Sequence, residues 1–112
     1  MQTIVGEVGI NLSDGQKQLI AIIRALFKQP QLLIIDEATS AMDSEKEKFV
    51  IQYLNKIKHK SIIIFITHKI HILRNFASRI YILNNGNTNL FGSHNELMSS
   101  DNLYSKFWKQ IY

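Results

Sequence analysis

The chain has 112 residues, which is enough for one small domain or for a piece of a larger one. Its hydrophobic share of 46% and charged share of 20% exclude a disordered sequence, and the absence of cysteine excludes a disulfide scaffold and thiolate metal sites. The net charge of +4 is dispersed among acidic residues, which disfavours a nucleic-acid surface, and no apolar run reaches the roughly 20 residues of a membrane span.

The first predicted element is a helix that begins near Ser13. Ser13 and Gln16 stand three residues apart just before apolar periodicity, which is the signature of a capping box, and Pro30 predicts the end of the helix. An unbroken apolar run follows at 32–35, which is typical of a parallel strand buried on both faces. We therefore expect a helix and then a buried strand in the first third of the chain.

A second helix and a second strand repeat this order. Ser44 and Glu47 predict another capping box, and the apolar run at 62–66 predicts a second buried strand. Strands that alternate with helices indicate an α/β fold with a parallel sheet and right-handed crossovers. In such sheets the functional side chains gather beyond the carboxyl ends of the strands.

The last third of the chain predicts a hairpin and two further helices. Residues 84–87 (Asn-Asn-Gly-Asn) tolerate positive φ and predict a turn between strands at 79–83 and 88–91. Ser93 and Glu96 predict a third capping box. The final helix has an aromatic stripe that we interpret as core packing: Tyr104, Phe107, Trp108 and Tyr112.

Three polar residues fall at the carboxyl ends of the two predicted parallel strands: Asp36, Glu37 and His68. A carboxylate at Asp36 can hold Mg²⁺ directly or through water, and Glu37 can accept a proton from an attacking water. A neutral imidazole at His68 can donate a hydrogen bond to a terminal phosphate. Because each residue alone is also explained as an ordinary strand end, the hypothesis of a site depends on their convergence.

The N-terminus of the first helix is a candidate phosphate site. Its unpaired N–H groups and the helix dipole attract anions, and Gly15 allows a close approach of the backbone. An ordinary capped helix explains Ser13 and Gln16 equally well. It leaves Gly15, a poor helix former, without a reason.

Together these elements resemble the nucleotide-binding domain of ABC transporters. Residues 12–16 (Leu-Ser-Asp-Gly-Gln) are similar to the L-S-G-G-Q signature, and residues 32–37 (Leu-Leu-Ile-Ile-Asp-Glu) are similar to the Walker B strand with its catalytic glutamate. Residues 40–43 (Ser-Ala-Met-Asp) resemble the D-loop, and His68 resembles the switch histidine. The resemblance covers nearly the whole chain in family order, so that residues 1–112 are expected to be part of one such domain.

Two further segments extend the resemblance to both ends of the chain. Residues 5–9 (Val-Gly-Glu-Val-Gly) resemble the segment that, in exporters, touches the coupling helices of the membrane domain. Residues 92–97 (Gly-Ser-His-Asn-Glu-Leu) match the closing G-x-H-x-E-L pattern. The resemblance therefore implies an exporter rather than an importer.

The resemblance implies a head-to-tail dimer of two nucleotide-binding domains with ATP between them. Ser13 and Gly15 would contact the γ-phosphate of ATP held by the phosphate loop of the second domain, and Gln16 would belong to the same ATP-binding turn. Asp43 would link the two sites across the dimer.

At the chain's own site the resemblance implies ATP and Mg²⁺ as cofactors. Asp36 would help to hold Mg²⁺, Glu37 would polarise water, and His68 would orient the γ-phosphate. The implied protein is an ATP hydrolase coupled to transmembrane export. It would lie at the cytoplasmic face of a membrane, peripheral to or fused with the membrane domain of an exporter, and it would have no nucleic-acid partner.

The sequence departs from the family because the phosphate loop, G-x-x-x-x-G-K-[S/T], is absent. We therefore expect the C-terminal half of a longer protein's domain, or a truncated product, that is inactive alone. In the family the phosphate-loop strand lies between the strand ending at His68 and the strand at 79–83. Two inner strand edges should then be unpaired, and the isolated chain should be poorly soluble or only partly folded.

Asp14 is a second departure, because the family usually has glycine there. A carboxylate beside a polyanionic nucleotide is unfavourable, although the helix dipole offsets part of the repulsion. We expect Asp14 to weaken closure of the dimer over ATP.

Two other functions stay open. A chromosome-maintenance or DNA-repair ATPase head shares the signature helix and the Walker B strand, but it joins long coiled coils, and the sequence has no sustained heptads. A non-catalytic remnant that docks on another nucleotide-binding domain is supported by the missing phosphate loop as strongly as truncation is.

Overall fold

The computed structural model describes residues 12–111 of the chain. The exporter-type segment at 5–9 and Tyr112 lie outside these described residues. The chain divides after His68 into two compact units, whose described parts are residues 12–68 and 69–111.

Unit one begins with helix α1, Asp14–Phe27, at the position that the capping box predicts. The Ser13 hydroxyl accepts a hydrogen bond from the Gln16 amide at 3.1 Å, and Gln16 Oε1 accepts one from the Ser13 amide at 2.9 Å. The helix is capped at its C-terminus by Lys28, before Pro30. Both predicted boundaries of this helix are confirmed.

Two parallel strands follow, β1 at Leu32–Asp36 and β2 at Ile62–Ile66. Leu32 pairs with Ile62 and Asp36 with Ile66, so that both strands end at the same edge of the sheet. This pairing confirms the predicted α/β fold with a parallel sheet.

The prediction that both strands are buried on both faces is wrong for the described part of the chain. In β1, Leu33 and Ile35 are buried, whereas Leu32 and Ile34 are 51% and 59% exposed. The outward residues of β2 are exposed as well, and they are Ile62, Ile64 and Ile66. Successive side chains of a strand point to opposite faces, so the alternation means that residues 12–68 cover only one face of this sheet.

Helix α2, Ser44–Ile57, lies between the two strands in the chain, and its cap differs from the prediction. The N-cap is Asp43 rather than Ser44, and Asp43 Oδ1 accepts a hydrogen bond from the Lys46 amide at 2.9 Å. Asp and Ser are similarly good caps, but a carboxylate is also stabilised by the positive end of the helix. Glu47 is consequently a buried helix residue and not part of a capping box.

Unit two begins with a 3-10 turn at Ile70–Ile72 and a short helix, α3, at Leu73–Phe76. An antiparallel hairpin follows, with β3 at Ile80–Asn84 and β4 at Asn87–Gly92. The predicted hairpin is confirmed, and its turn is two residues long. Asn85 and Gly86 both have positive φ, +50° and +79°, as the tight turns that match the twist of paired strands require.

The chain then forms helix α4, His94–Met98, and helix α5, Leu103–Ile111. The third capping box is confirmed, because the Ser93 hydroxyl accepts from the Glu96 amide at 3.1 Å and Glu96 Oε1 accepts from the Ser93 amide at 2.8 Å. The core of unit two contains Ile70, Leu73, Ile80, Leu97 and Tyr104.

Only part of the predicted aromatic stripe of α5 belongs to the hydrophobic core. Tyr104 is buried and Trp108 packs against the core of unit two, but Phe107 is 41% exposed. One residue corresponds to about 100° of rotation around a helix, so Phe107 and Trp108 cannot both face the core squarely.

Within residues 12–111, no helix is long and apolar enough to cross a membrane. In the same range β2 is hydrogen-bonded to β1 and β3 to β4, in two separate two-stranded sheets. Both β2 and β3 therefore have one edge without a neighbouring strand among the described residues.

Candidate functional site

The carboxyl end of β1 carries two acidic residues in different backbone environments. Asp36 is the last residue of the strand and is exposed, opposite Ile66 of β2. Glu37 has φ +52°, and its amide donates a hydrogen bond to the Ile66 carbonyl at 2.9 Å. A residue with a side chain rarely adopts positive φ, and such backbone conformations cluster at functional sites.

Glu37 and His68 are joined by two hydrogen bonds across the ends of the strands. The Glu37 carboxylate accepts from the backbone amide of His68 at 3.3 Å, and its second oxygen contacts Nδ1 of the imidazole ring. The His68 side chain is 92% exposed, whereas that of Glu37 is 34% exposed. The structure thus brings together two of the predicted site residues, with the imidazole facing outward.

The N-terminal turn of α1 packs against the loop that follows Glu37. Gly15 is buried, and a Cβ atom added to it would lie 2.6 Å from the carbonyl oxygen of Ala41. Only glycine allows this approach, because a Cβ in that position would overlap the carbonyl. Sequence reasoning assigned Gly15 to phosphate binding alone and missed this packing reason.

The Gln18 side chain connects α1 to the same loop. Its Nε2 donates to the Glu37 carbonyl at 3.3 Å and to the Ser40 hydroxyl at 3.0 Å, and its Oε1 accepts from the Ala41 amide at 2.9 Å. Sequence reasoning missed Gln18. The available signal was its position three residues after Gly15, which places both residues on one face of α1.

Gln16 and Asp43, two other predicted site residues, both act as helix caps here. Gln16 completes the capping box of α1, and Asp43 caps α2 and forms an ion pair with Lys46 at 3.0 Å. Hydrogen bonds from the backbone amide and then from the side chain of Lys46 lower the pKa of Asp43 below its ordinary value of 3.8. Asp43 is therefore held as a carboxylate beside the loop that Gln18 contacts.

The exposed carboxylate of Asp36 is the one side chain at this strand end that we consider as a magnesium ligand. Among the described residues, no group of three or more His, Cys, Asp or Glu side chains is arranged to hold a metal. Mg²⁺ commonly takes only one or two carboxylates and completes its octahedron with water and substrate phosphates. An exposed carboxylate at the end of a strand suits that mode of binding.

Unit two contains one further arrangement of polar and aromatic groups. His94 Nδ1 lies 2.9 Å from the Tyr104 hydroxyl, and the imidazole ring lies edge-on to the Trp108 ring at 4.7 Å between centroids. Burial, and then the positive charge of Arg74, lower the pKa of His94 below its ordinary value of 6.5. The histidine of the closing pattern is therefore favoured in its neutral form.

Comparison with known proteins shows the same family along most of the chain. A family model described as ABC transporter matches residues 1–40. ABC transporter B family member 4 of Dictyostelium discoideum is 47% identical over 105 residues, which are 94% of this chain and 14% of that protein. The alpha-hemolysin translocation ATP-binding protein HlyB of Escherichia coli O157:H7 is 44% identical over 108 residues, 96% of this chain and 15% of that protein.

A solved structure and a third relative extend this likeness. The ATP-dependent lipid A-core flippase of Pseudoalteromonas translucida is 41% identical over 112 residues, the whole of this chain and 19% of that protein. A bacterial Atm1-family ABC exporter with ATP bound has a TM-score of 0.83 and 33% identity, covering 88% of this chain and 17% of that one. The chain thus spans less than a fifth of each of these proteins. It belongs to the ABC transporter ATP-binding family.

Proposed function

We propose that this chain forms the part of an exporter's ATP-binding domain that carries the hydrolytic residues and the signature turn. The observation that carries the proposal is the contact between Glu37 and His68 at the shared carboxyl edge of β1 and β2. In parallel sheets this edge is where ligands bind. These 112 residues do not contain the phosphate-loop motif, so the proposal requires a phosphate loop that this stretch does not supply.

Glu37 is the proposed general base. Its carboxylate accepts hydrogen bonds from His68, and the same oxygens can accept a proton from a water that attacks the γ-phosphate. His68 has an exposed ring whose Nδ1 faces the Glu37 carboxylate. When both ring nitrogens carry protons, Nε2 can donate a hydrogen bond to that phosphate and so hold it in line with the water. Asp36 would hold Mg²⁺, which neutralises developing phosphate charge when it is bound.

The N-terminus of α1 is the proposed contact with ATP on a second nucleotide-binding domain. Ser13, Gly15 and Gln16 lie at the positive end of a 14-residue helix, where backbone amides and the dipole favour phosphate oxygens. In a head-to-tail dimer this turn closes over ATP held by the partner's phosphate loop. Asp43, at the end of the adjoining loop, then lies near the dimer interface.

The proposed setting is the cytoplasmic face of a membrane, where the domain acts on the membrane domain of an exporter. Similarity to an alpha-hemolysin translocation protein and to a lipid A-core flippase supports an export role. It does not single out a cargo, because this stretch is shared by both.

The test uses a chimera in which this chain replaces the matching segment of the haemolysin relative. Glu37→Gln should lower the ATPase rate at saturating ATP by about 100-fold or more, because a general base contributes about that factor, while ATP binding persists. Glu45→Gln, the same change at an exposed residue of α2, is the matched control and should retain the rate within about twofold.

Equal ATPase rates for Glu37→Gln and Glu45→Gln would contradict the proposal. That result would instead support the non-catalytic segment that docks on another nucleotide-binding domain.

A further inference from the structure

We propose that Gln18 is a positioning residue that couples the signature turn of α1 to the backbone of the catalytic Glu37. The inference rests on the proposed function, because it concerns how the same site is organised. It assigns a role to a side chain that lies outside the signature turn, residues 12–16, and bonds to the loop after β1.

Gln18 uses both ends of its side-chain amide to bond to the loop after β1. Nε2 donates to Glu37 O and to Ser40 Oγ, at 3.3 and 3.0 Å, while Oε1 accepts from the Ala41 amide at 2.9 Å. The Ala41 N–H can only donate, so it fixes which end of the amide faces it. One side chain therefore holds three residues of the loop from Glu37 to Ala41.

Glu37 has an unusual backbone conformation, with positive φ. At φ +52° its carbonyl accepts from the Ser40 amide at 3.3 Å as well as from Gln18, and its own amide donates to β2. A strained backbone conformation persists only where its surroundings hold it. Gln18 supplies the bond that comes from α1, and the direction of the Glu37 carboxylate follows from this backbone.

Gly15 packs closely against the backbone of Ala41. This contact and the Gln18 bonds lie one turn apart on the same face of α1, so the turn at Ser13 and the loop at Ala41 meet at two points. A displacement of the α1 N-terminus on contact with a phosphate is transmitted through these points to Glu37. Contact with ATP on the partner domain would thereby set the geometry of hydrolysis at the chain's own site.

The test compares Gln18→Met and Gln18→Glu in the chimera, with Gln52→Met as the matched control on the exposed face of α2. Methionine keeps the length and helix propensity of glutamine but makes none of the three bonds. Gln18→Met should lower kcat by about tenfold or more, because small displacements of a catalytic group have effects of that order. The KM for ATP should stay within about twofold, since both ends of the Gln18 amide are bonded to protein groups.

A double substitution separates positioning from a general structural fault. In the Glu37→Gln background, Gln18→Met should lower the residual rate by less than about twofold, because the group that Gln18 positions is already gone. A structural fault would lower the rate by the same factor in both backgrounds.

Gln18→Glu keeps the acceptor for the Ala41 amide and loses the donor to Glu37, so it carries the test should Gln18→Met fail to fold. Its kcat should fall by about fivefold or more, while hydrogen exchange at the Ala41 amide stays slow. Suppose that Glu37→Gln lowers the ATPase rate as expected, but a folded Gln18 variant has the same kcat as Gln52→Met. The positioning role of Gln18 is then overturned, while the proposed function stands. If Glu37→Gln leaves the rate unchanged, the proposed function fails and the inference fails with it.

Discussion

Replacing Gly15 with alanine tests whether the signature turn is built against the loop at Ala41. The added Cβ would lie 2.6 Å from the Ala41 carbonyl oxygen, whereas ordinary contacts begin at 3.4 Å, so the two segments must separate by about 0.8 Å. Overpacking of this kind costs about 1–3 kcal/mol, and alanine returns up to about 1 kcal/mol through its helix propensity. Because the clash is with a backbone oxygen, which cannot rotate away as a side chain can, we take the upper end of that range and expect a net loss of about 2 kcal/mol in the free energy of unfolding.

The assay is chemical denaturation of the ATP-binding domain of the chimera, followed by circular dichroism and combined with its ATPase rate. Gly15→Ala should lower both the unfolding midpoint and kcat, because the shift also stretches the 2.9 Å bond from the Ala41 amide to Gln18.

Gly86→Ala is the control for backbone strain without a steric contact. A Cβ at Gly86 would meet nothing within 4 Å, but φ there is +79°. It should cost about 1 kcal/mol in unfolding free energy and leave kcat unchanged. A Gly15→Ala variant that is as stable and as active as the unsubstituted chimera would refute the packing argument.

Three further predictions concern charged and titratable groups. Asp14→Gly should raise the ATPase rate of the chimera at limiting ATP by about fivefold, because it removes about 1 kcal/mol of repulsion; an unchanged rate would discard the idea. Because the pKa of Asp43 is lowered by bonds from Lys46, its contribution to stability should be present above pH 3.8 and be lost as pH falls further. In acid unfolding experiments, the Asp43→Asn variant should not show this loss of stability below pH 3.8. Because burial and Arg74 lower the pKa of His94, the protein should lose stability as pH falls below 6.5, and urea midpoints of His94→Gln should be flatter across that range.

Local chemistry made several elements of the fold predictable from sequence. The capping boxes at Ser13 and Ser93 and the turn at Asn85 and Gly86 depend on residues within three positions of each other, and the structure confirms them. The cap of α2 was misplaced by one residue, because Asp43 and Ser44 are both good caps and pattern alone does not rank them.

Burial and long-range contacts were less predictable. The unbroken apolar run of β1 indicated cover on both faces, but Ile34 is exposed, since burial depends on what packs over a strand. At the site, parallel strands predicted that Glu37 and His68 would converge, and they do. The Gln18 contacts join residues 19 to 23 positions apart, a separation that no local pattern encodes.

In the proposed dimer, the turn at Ser13 closes over a triphosphate bound by a different subunit. Mixed dimers of the chimera test it with two lesions: Ser13→Asp, which preserves a helix cap but places a carboxylate near the phosphate, and loss of the phosphate-loop lysine. We measure ATP occluded per dimer, with the neutral cap Ser13→Asn as the control. Lesions on different subunits should leave one occluded ATP, since both fall in the same composite site, and lesions on one subunit should leave none. The reverse pattern would contradict the account, because it would mean that the turn serves the nucleotide of its own subunit.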